Sequence, residues 1–188
     1  MESLSICLTF STLLGYLHNA INQMVDPRKP SNNTNYSIKD AVLSAFSVFF
    51  MQCPSFLEYQ RQMQSRKGQD NAQTLFEVGA IPSDNQIRNI LDGILASSLR
   101  SIFTWVYQAL TAGGYLKAYQ VLGKNILIPL DGTEYFSSQK IHCPCCSSRQ
   151  HQNGTVSYSH QALLPVIVAP DNPHVISLAP EFITPQDG

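Results

Sequence analysis

Three sets of residues in this 188-residue chain have the types and spacing to do chemistry. The first is Asp131, which follows the apolar run Ile126-Leu127-Ile128 and Leu130 and precedes Gly132-Thr133. Such a run, continued by Tyr135-Phe136, reads as a buried strand, so the carboxylate falls at or near a strand end. A lone buried carboxylate costs several kcal/mol unless it is paired or coordinates a metal. Asp-Gly is also an ordinary turn. The residues alone leave both roles open.

The second set is His142, Cys143, Cys145, Cys146, His151 and His160. Cys143 and Cys146 stand at CxxC spacing, and with His151 and His160 they could complete a tetrahedral zinc site, because thiolates and imidazoles match zinc. Cys145 is then a spare. The plainer account is a cysteine-rich turn between two strands, and no base or orienting group marks a catalytic thiol. The third set is basic: Arg61, Arg66 and Lys67, with Arg88 on a helix that opens at Ser83. A helix start carrying Ser, Asn and Gln could meet DNA phosphates or base edges, although such faces are often merely solvated.

The elements that must position these residues change character along the chain. The apolar pattern from Leu4 to Val25 predicts a helix stopped by Asp26-Pro27, since proline disfavours helix in the residue before it. Ser37 followed by Asp40 marks the start of a second, largely apolar helix ended by Cys53-Pro54. Phe56 to Met63 predicts a third. Ser83 with Gln86 is a capping-box pattern ahead of Ile87, Ile90, Leu91 and Ile94, and Leu99 to Leu110 predicts a helix stopped at Gly113-Gly114. From Asn125 onward the pattern is strand. Thr155 to Val168 and Val175 to Leu178 follow the Asp131 strand, joined by the turn Pro170-Asp171-Asn172-Pro173. The expected organisation is a helical region over 1–120 and a strand region over 121–188.

Composition bounds the function classes. The 44% hydrophobic content is that of a globular chain, and Lys+Arg 12 against Asp+Glu 13 gives a formal charge of -1. Bulk charge therefore does not mark a nucleic-acid binder, and DNA contact requires a local patch. The N-terminus has neither the positive flank of a secretory signal nor an apolar run of membrane-spanning length. Five cysteines, three of them crowded into Cys143, Cys145 and Cys146, do not form a secreted disulfide framework. The expected compartment is a reducing cytoplasm, with no membrane partner.

The stretch from Leu130-Asp131-Gly132-Thr133-Glu134-Tyr135 through His142-Cys143-Pro144, then Asn153 to Gln161 and Ile176 to Glu181, closely resembles bacterial insertion-sequence DDE transposases with an RNase H-like core. Asp26-Pro27-Arg28, the helix from Ser37, and Ile81 to Arg88 resemble the same family's N-terminal region, so the likeness spans nearly the whole chain.

The resemblance implies a fold and a chemistry. The fold is mixed α+β or α/β: a helical N-terminal region, then the first three antiparallel strands of an incomplete RNase H-like core. The chemistry is DNA cleavage and strand transfer at insertion-sequence ends by two Asp and one Glu holding two Mg2+ or Mn2+ ions, which stabilise the attacking and leaving oxygens of phosphoryl transfer. Asp131 matches the first of the three. The second aspartate and the glutamate have no match: Asp171 lies in a turn, Glu181 follows a proline and Asp187 is in the tail. The chain is thus expected to be the N-terminal part of a transposase, inactive alone, from a truncated or decayed copy or a split reading frame. Its implied partners are terminal-repeat and target DNA, itself or a full-length transposase, in the bacterial nucleoid. The alternative is a non-enzymatic fragment that binds DNA ends or inhibits the complete enzyme, and a third reading is a small zinc-binding structural module.

Overall fold

A computed structural model describes residues 8–29, 34–65 and 71–185; Arg66, Lys67 and Asp187 lie outside the described residues. The described chain is mixed, with six α-helices and two antiparallel sheets. It divides into two compact units, one over Leu8–Ile102 and one containing Phe103 onward.

The first unit is helical. Helix α1 (Phe10–Asn22) is capped by Thr9, whose side chain accepts from Thr12 N, and α2 (Ile38–Phe50) opens with the capping box read from Ser37 and Asp40. Helices α3 (Phe56–Ser65), α4 (Asn71–Thr74) and α5 (Asp84–Leu91) follow, the last opened by the Ser83–Gln86 box. Leu17, Ile21, Val42, Leu43, Tyr59 and Phe76 anchor the core. An aromatic group of Phe10, Phe46, Phe50 and Phe76 packs with centroids 5.1 to 6.3 Å apart, the range in which offset and edge-on pairs are favourable. The largely apolar α2 is buried along its middle, while Phe49 is 81% exposed at its end.

A short 3-10 turn (Ala96–Leu99) leads into α6 (Arg100–Ala112), which ends at Gly113-Gly114 with Gly114 at φ 72, a left-handed backbone that glycine adopts without strain. A second 3-10 turn (Tyr115–Tyr119) precedes a small hairpin of β1 (Gln120–Val121) and β2 (Asn125–Ile126). The larger sheet contains β3 (Leu130–Ser138), β4 (Ser147–Gln150), β5 (Val156–Ile167), β6 (Ile176–Ser177) and β7 (Glu181–Ile183). All of its ladders are antiparallel and all involve β5. Strand β3 covers one edge of β5, from Leu130 opposite Pro165 to Ser138 opposite Tyr158. Along the other edge β4, β7 and β6 lie end to end.

The strand region departs from expectation in several places. The strand expected over Val175–Leu178 is the shorter β6 (Ile176–Ser177), and β7 (Glu181–Ile183) beyond it was not foreseen. Pro165 gives a reason for the gap between them: its carbonyl accepts from Leu178 N at 3.0 Å, but on that same edge it has no N–H to return. The run from Ile126 to Phe136 is likewise broken, by Leu127-Ile128-Pro129, and β4 supplies a strand that was not foreseen. Nor is that run buried, since Leu127, Ile128 and Leu130 are 41%, 46% and 67% exposed. Apolar composition reports a tendency to bury, and burial needs a second layer, which the described residues do not place over this end of β3.

Candidate functional site

Three ligand atoms converge in the sheet unit. Cys143 Sγ and Cys146 Sγ lie 3.7 Å apart, and His160 Nε2 lies 3.3 Å from the first and 3.2 Å from the second. This Cys2His group is the one gathering of three or more His, Cys, Asp or Glu side chains close enough to hold a metal ion among the described residues. Cys143 is exposed, and Cys146 and His160 are partly buried.

Local structure explains the convergence. Cys143-Pro144-Cys145-Cys146 is a tight turn in the β3–β4 connection, closed by Cys146 N donating to Cys143 O at 3.1 Å. Proline suits the second position of such a turn because its φ is preset. Cys143 N donates to Cys146 Sγ at 3.2 Å, which fixes the position of that sulfur within the turn. Upstream, Ser138 Oγ accepts from Lys140 N and Ile141 N at 3.1 and 2.9 Å, which turns the chain out of β3.

His160 comes from β5, and its ring is set by a bulge in β3. The register passes from Glu134 opposite Gln161 to Phe136 opposite His160, so Tyr135 is an extra residue. Strict alternation would send Tyr135 and Phe136 to opposite faces; the bulge keeps both on the face of His160. Tyr135 stacks on the imidazole at 5.8 Å and 15°, Phe136 meets it at 5.7 Å and 44°, and Tyr135 also packs edge-on against Phe182. Burial, then the neighbouring Cys143 and Cys146, push the Tyr135 phenol above its ordinary value.

His151 is not part of this group. It follows β4 in the turn to β5, closed by His151 N to Thr155 O at 2.8 Å, and its Nε2 pairs with Ser157 Oγ at 2.8 Å. Ser157 and His160 are three residues apart on β5, an odd step that places them on opposite faces, so the four-ligand set of the sequence reading is corrected to three. Cys145 is exposed and outside the group, and His142 stacks on Tyr158 with centroids 4.4 Å apart. The opposite face carries an open groove of about 760 Å³ lined by Glu134, Ser137, Ser147, Arg149, Ser159 and Gln161 among others. Sequence reasoning missed this groove, although the period-two polar residues of β5, Ser157, Ser159 and Gln161, were its signal.

Asp131 stands near the start of β3 rather than at the end of a buried strand, opposite Leu164 and exposed. It shares the face of Thr133 and His160, on the order of 13 Å along β5 from the latter. Asp171 is in a turn at φ 58, and Glu181 opens β7 opposite Leu163. Two divalent cations need several carboxylates on one site, so the described residues do not fit a two-metal centre at Asp131. Of the basic residues, Arg61 is exposed on α3, while Arg88 on α5 pairs with Asp84 at 3.2 Å. Asp26-Pro27-Arg28 closes on itself: Arg28 grips Asp26 through Nε at 2.9 Å and Nη2 at 2.6 Å and donates to Tyr36 O at 3.1 Å. Among the described residues no helix is long and apolar enough to cross a membrane.

No family model matches the chain, and no curated protein or solved structure matches it.

Proposed function

We propose that this chain is the N-terminal part of a DDE transposase, in which Asp131 is the first of three carboxylates of an RNase H-like core that cuts and joins DNA at insertion-sequence ends. The observation that carries the reading is the setting of Asp131. It is an exposed carboxylate on a long strand whose one partner among the described residues is β5, so the other edge of β3 is open to a further strand. The order β3, β5, then β7 and β6 is also that of a three-stranded antiparallel meander. A strand added to the open edge of β3 would bring its own side chains within a few ångströms of Asp131. Magnesium or manganese belongs to that completed site, since hard cations prefer oxygen ligands. The thiolates and imidazole of Cys143, Cys146 and His160 suit zinc, a separate ion at a separate place.

The test is the DNA that follows the codon for Gly188. In this frame or a shifted one it should encode a helix, then a short apolar strand bearing an aspartate, and farther on a helix bearing a glutamate. An unrelated gene with no such residues in any frame would remove the transposase reading of Asp131. A second reading, favoured by the solitary state of Asp131 among the described residues, is a non-enzymatic fragment that binds transposon ends or the complete enzyme. Retarded migration of flanking-repeat DNA without cleavage distinguishes it.

A further inference from the structure

We propose that Cys143 Sγ, Cys146 Sγ and His160 Nε2 hold one zinc ion that ties the β3–β4 connection to β5, with solvent at the fourth position and with Cys145 and His151 outside the ligand set. A tetrahedral ion with Zn–S bonds of about 2.3 Å separates its two sulfurs by about 3.8 Å, and with Zn–N of about 2.0 Å it separates sulfur from nitrogen by about 3.5 Å. The observed separations are 3.7 Å between sulfurs and 3.3 and 3.2 Å from sulfur to nitrogen. The sulfur pair is already at the bound distance, and the imidazole needs a shift of a few tenths of an ångström.

The surroundings suit the bound state as well as the spacing does. Both cysteines bind as thiolates, releasing their protons to solvent, and His160 binds as neutral imidazole through Nε2 with its proton on Nδ1. The Cys143 N–H donated to Cys146 Sγ holds that sulfur in place, and Tyr135 and Phe136 hold the ring against rotation. Such supporting contacts orient ligands and raise metal affinity. His142 and Cys145 flank the site in sequence, but neither joins the converging atoms. Cys143 is exposed, so the fourth position faces solvent.

The experiment is metal analysis of the full chain, purified under reducing conditions without chelator, with cobalt as a spectroscopic replacement for zinc. About one zinc per chain is expected, retained in Cys145→Ser and His151→Ala and reduced at least about tenfold in Cys143→Ser, Cys146→Ser and His160→Ala. The cobalt form should show the intense absorption of a tetrahedral centre with two thiolate charge-transfer contributions. If a ligand variant does not fold, this wild-type spectrum decides by itself. Absence of zinc and of a tetrahedral cobalt spectrum, a disulfide between Cys143 and Cys146 in the reduced preparation, or loss of metal in His151→Ala would each overturn the assignment. None of these outcomes bears on Asp131, so the site stands or falls apart from the transposase reading.

Discussion

Asp40 serves three partners with two oxygens. Oδ2 accepts from Ser37 N and Ser37 Oγ at 3.2 and 2.7 Å to start α2, and Oδ1 accepts from Gly79 N and Ala80 N at 2.8 and 3.2 Å, thirty-nine and forty residues away. Burial by itself would raise its carboxyl, but the hydrogen bonds from Ser37, Ala80 and Gly79 outweigh it and hold the group below the ordinary carboxylate range. Asp40→Asn should therefore cost about 1 to 2 kcal/mol at neutral pH, as loss of a helix cap does. The sign with pH follows from the lowered folded value. The contribution is complete above the unfolded carboxylate value near ~3.9 and is lost as pH falls through the lower folded one. Urea unfolding of wild type and Asp40→Asn should show the two converging in that acid window; a gap constant down to strong acid would contradict the charge account. Two buried serines on α2 give a contrast. Ser47 Oγ and the Tyr59 hydroxyl share a 2.6 Å hydrogen bond, while Ser44 Oγ is buried without a partner among the described residues. Ser47→Ala should destabilise by about 1 kcal/mol and Ser44→Ala should be neutral or stabilising, measured by the same unfolding curves.

The bulge in β3 decides what His160 touches, and its effect is measurable. If His160 is a zinc ligand, Tyr135→Ala should weaken zinc binding by about tenfold while Tyr135→Phe, which keeps the stacked ring, should leave it unchanged. Equal affinity in all three proteins would remove the positioning role of the ring. How much of this was legible in the sequence depends on range. The caps at Ser37 and Ser83 were legible because they are settled within three residues, and Cys143 with Cys146 because CxxC spacing by itself brings two sulfurs together. The choice of His160 over His151 was not, because it depends on which face of β5 each histidine meets, and that is set by register and by one inserted residue. The strand break at Pro129 was also overlooked, because the apolar run outweighed the missing N–H of the proline, and β7 beyond Pro180 was not foreseen. Even Asp26-Pro27-Arg28, read as a motif of resemblance, is accounted for locally by the Arg28 grip on Asp26 and Tyr36.

At the scale of the molecule, one exposed carboxylate on an open-edged sheet cannot hold two cations. The purified chain with magnesium or manganese should neither nick nor join DNA carrying the flanking repeats. Strand transfer that disappears in Asp131→Asn would show that the chain carries a complete site. The sheet has a further property that concerns time rather than place. Every ladder in it passes through β5, so β3 and β4 have no partner in this sheet until residues 156–167 have left the ribosome. By then all of Leu8–Ile102, whose closest helix caps are local, has long been available to fold. Closing β3 onto β5 pays for a loop, and the cost is smallest at the inner pair, Ser138 with Tyr158, from which pairing can run outward to Leu130 with Pro165. The two cysteines sit inside that loop and His160 sits beside the inner pair, so an ion caught there would fasten the hairpin at its starting end. Zinc would then act as a clock for the sheet, quickening its assembly in refolding experiments as well as holding the finished structure.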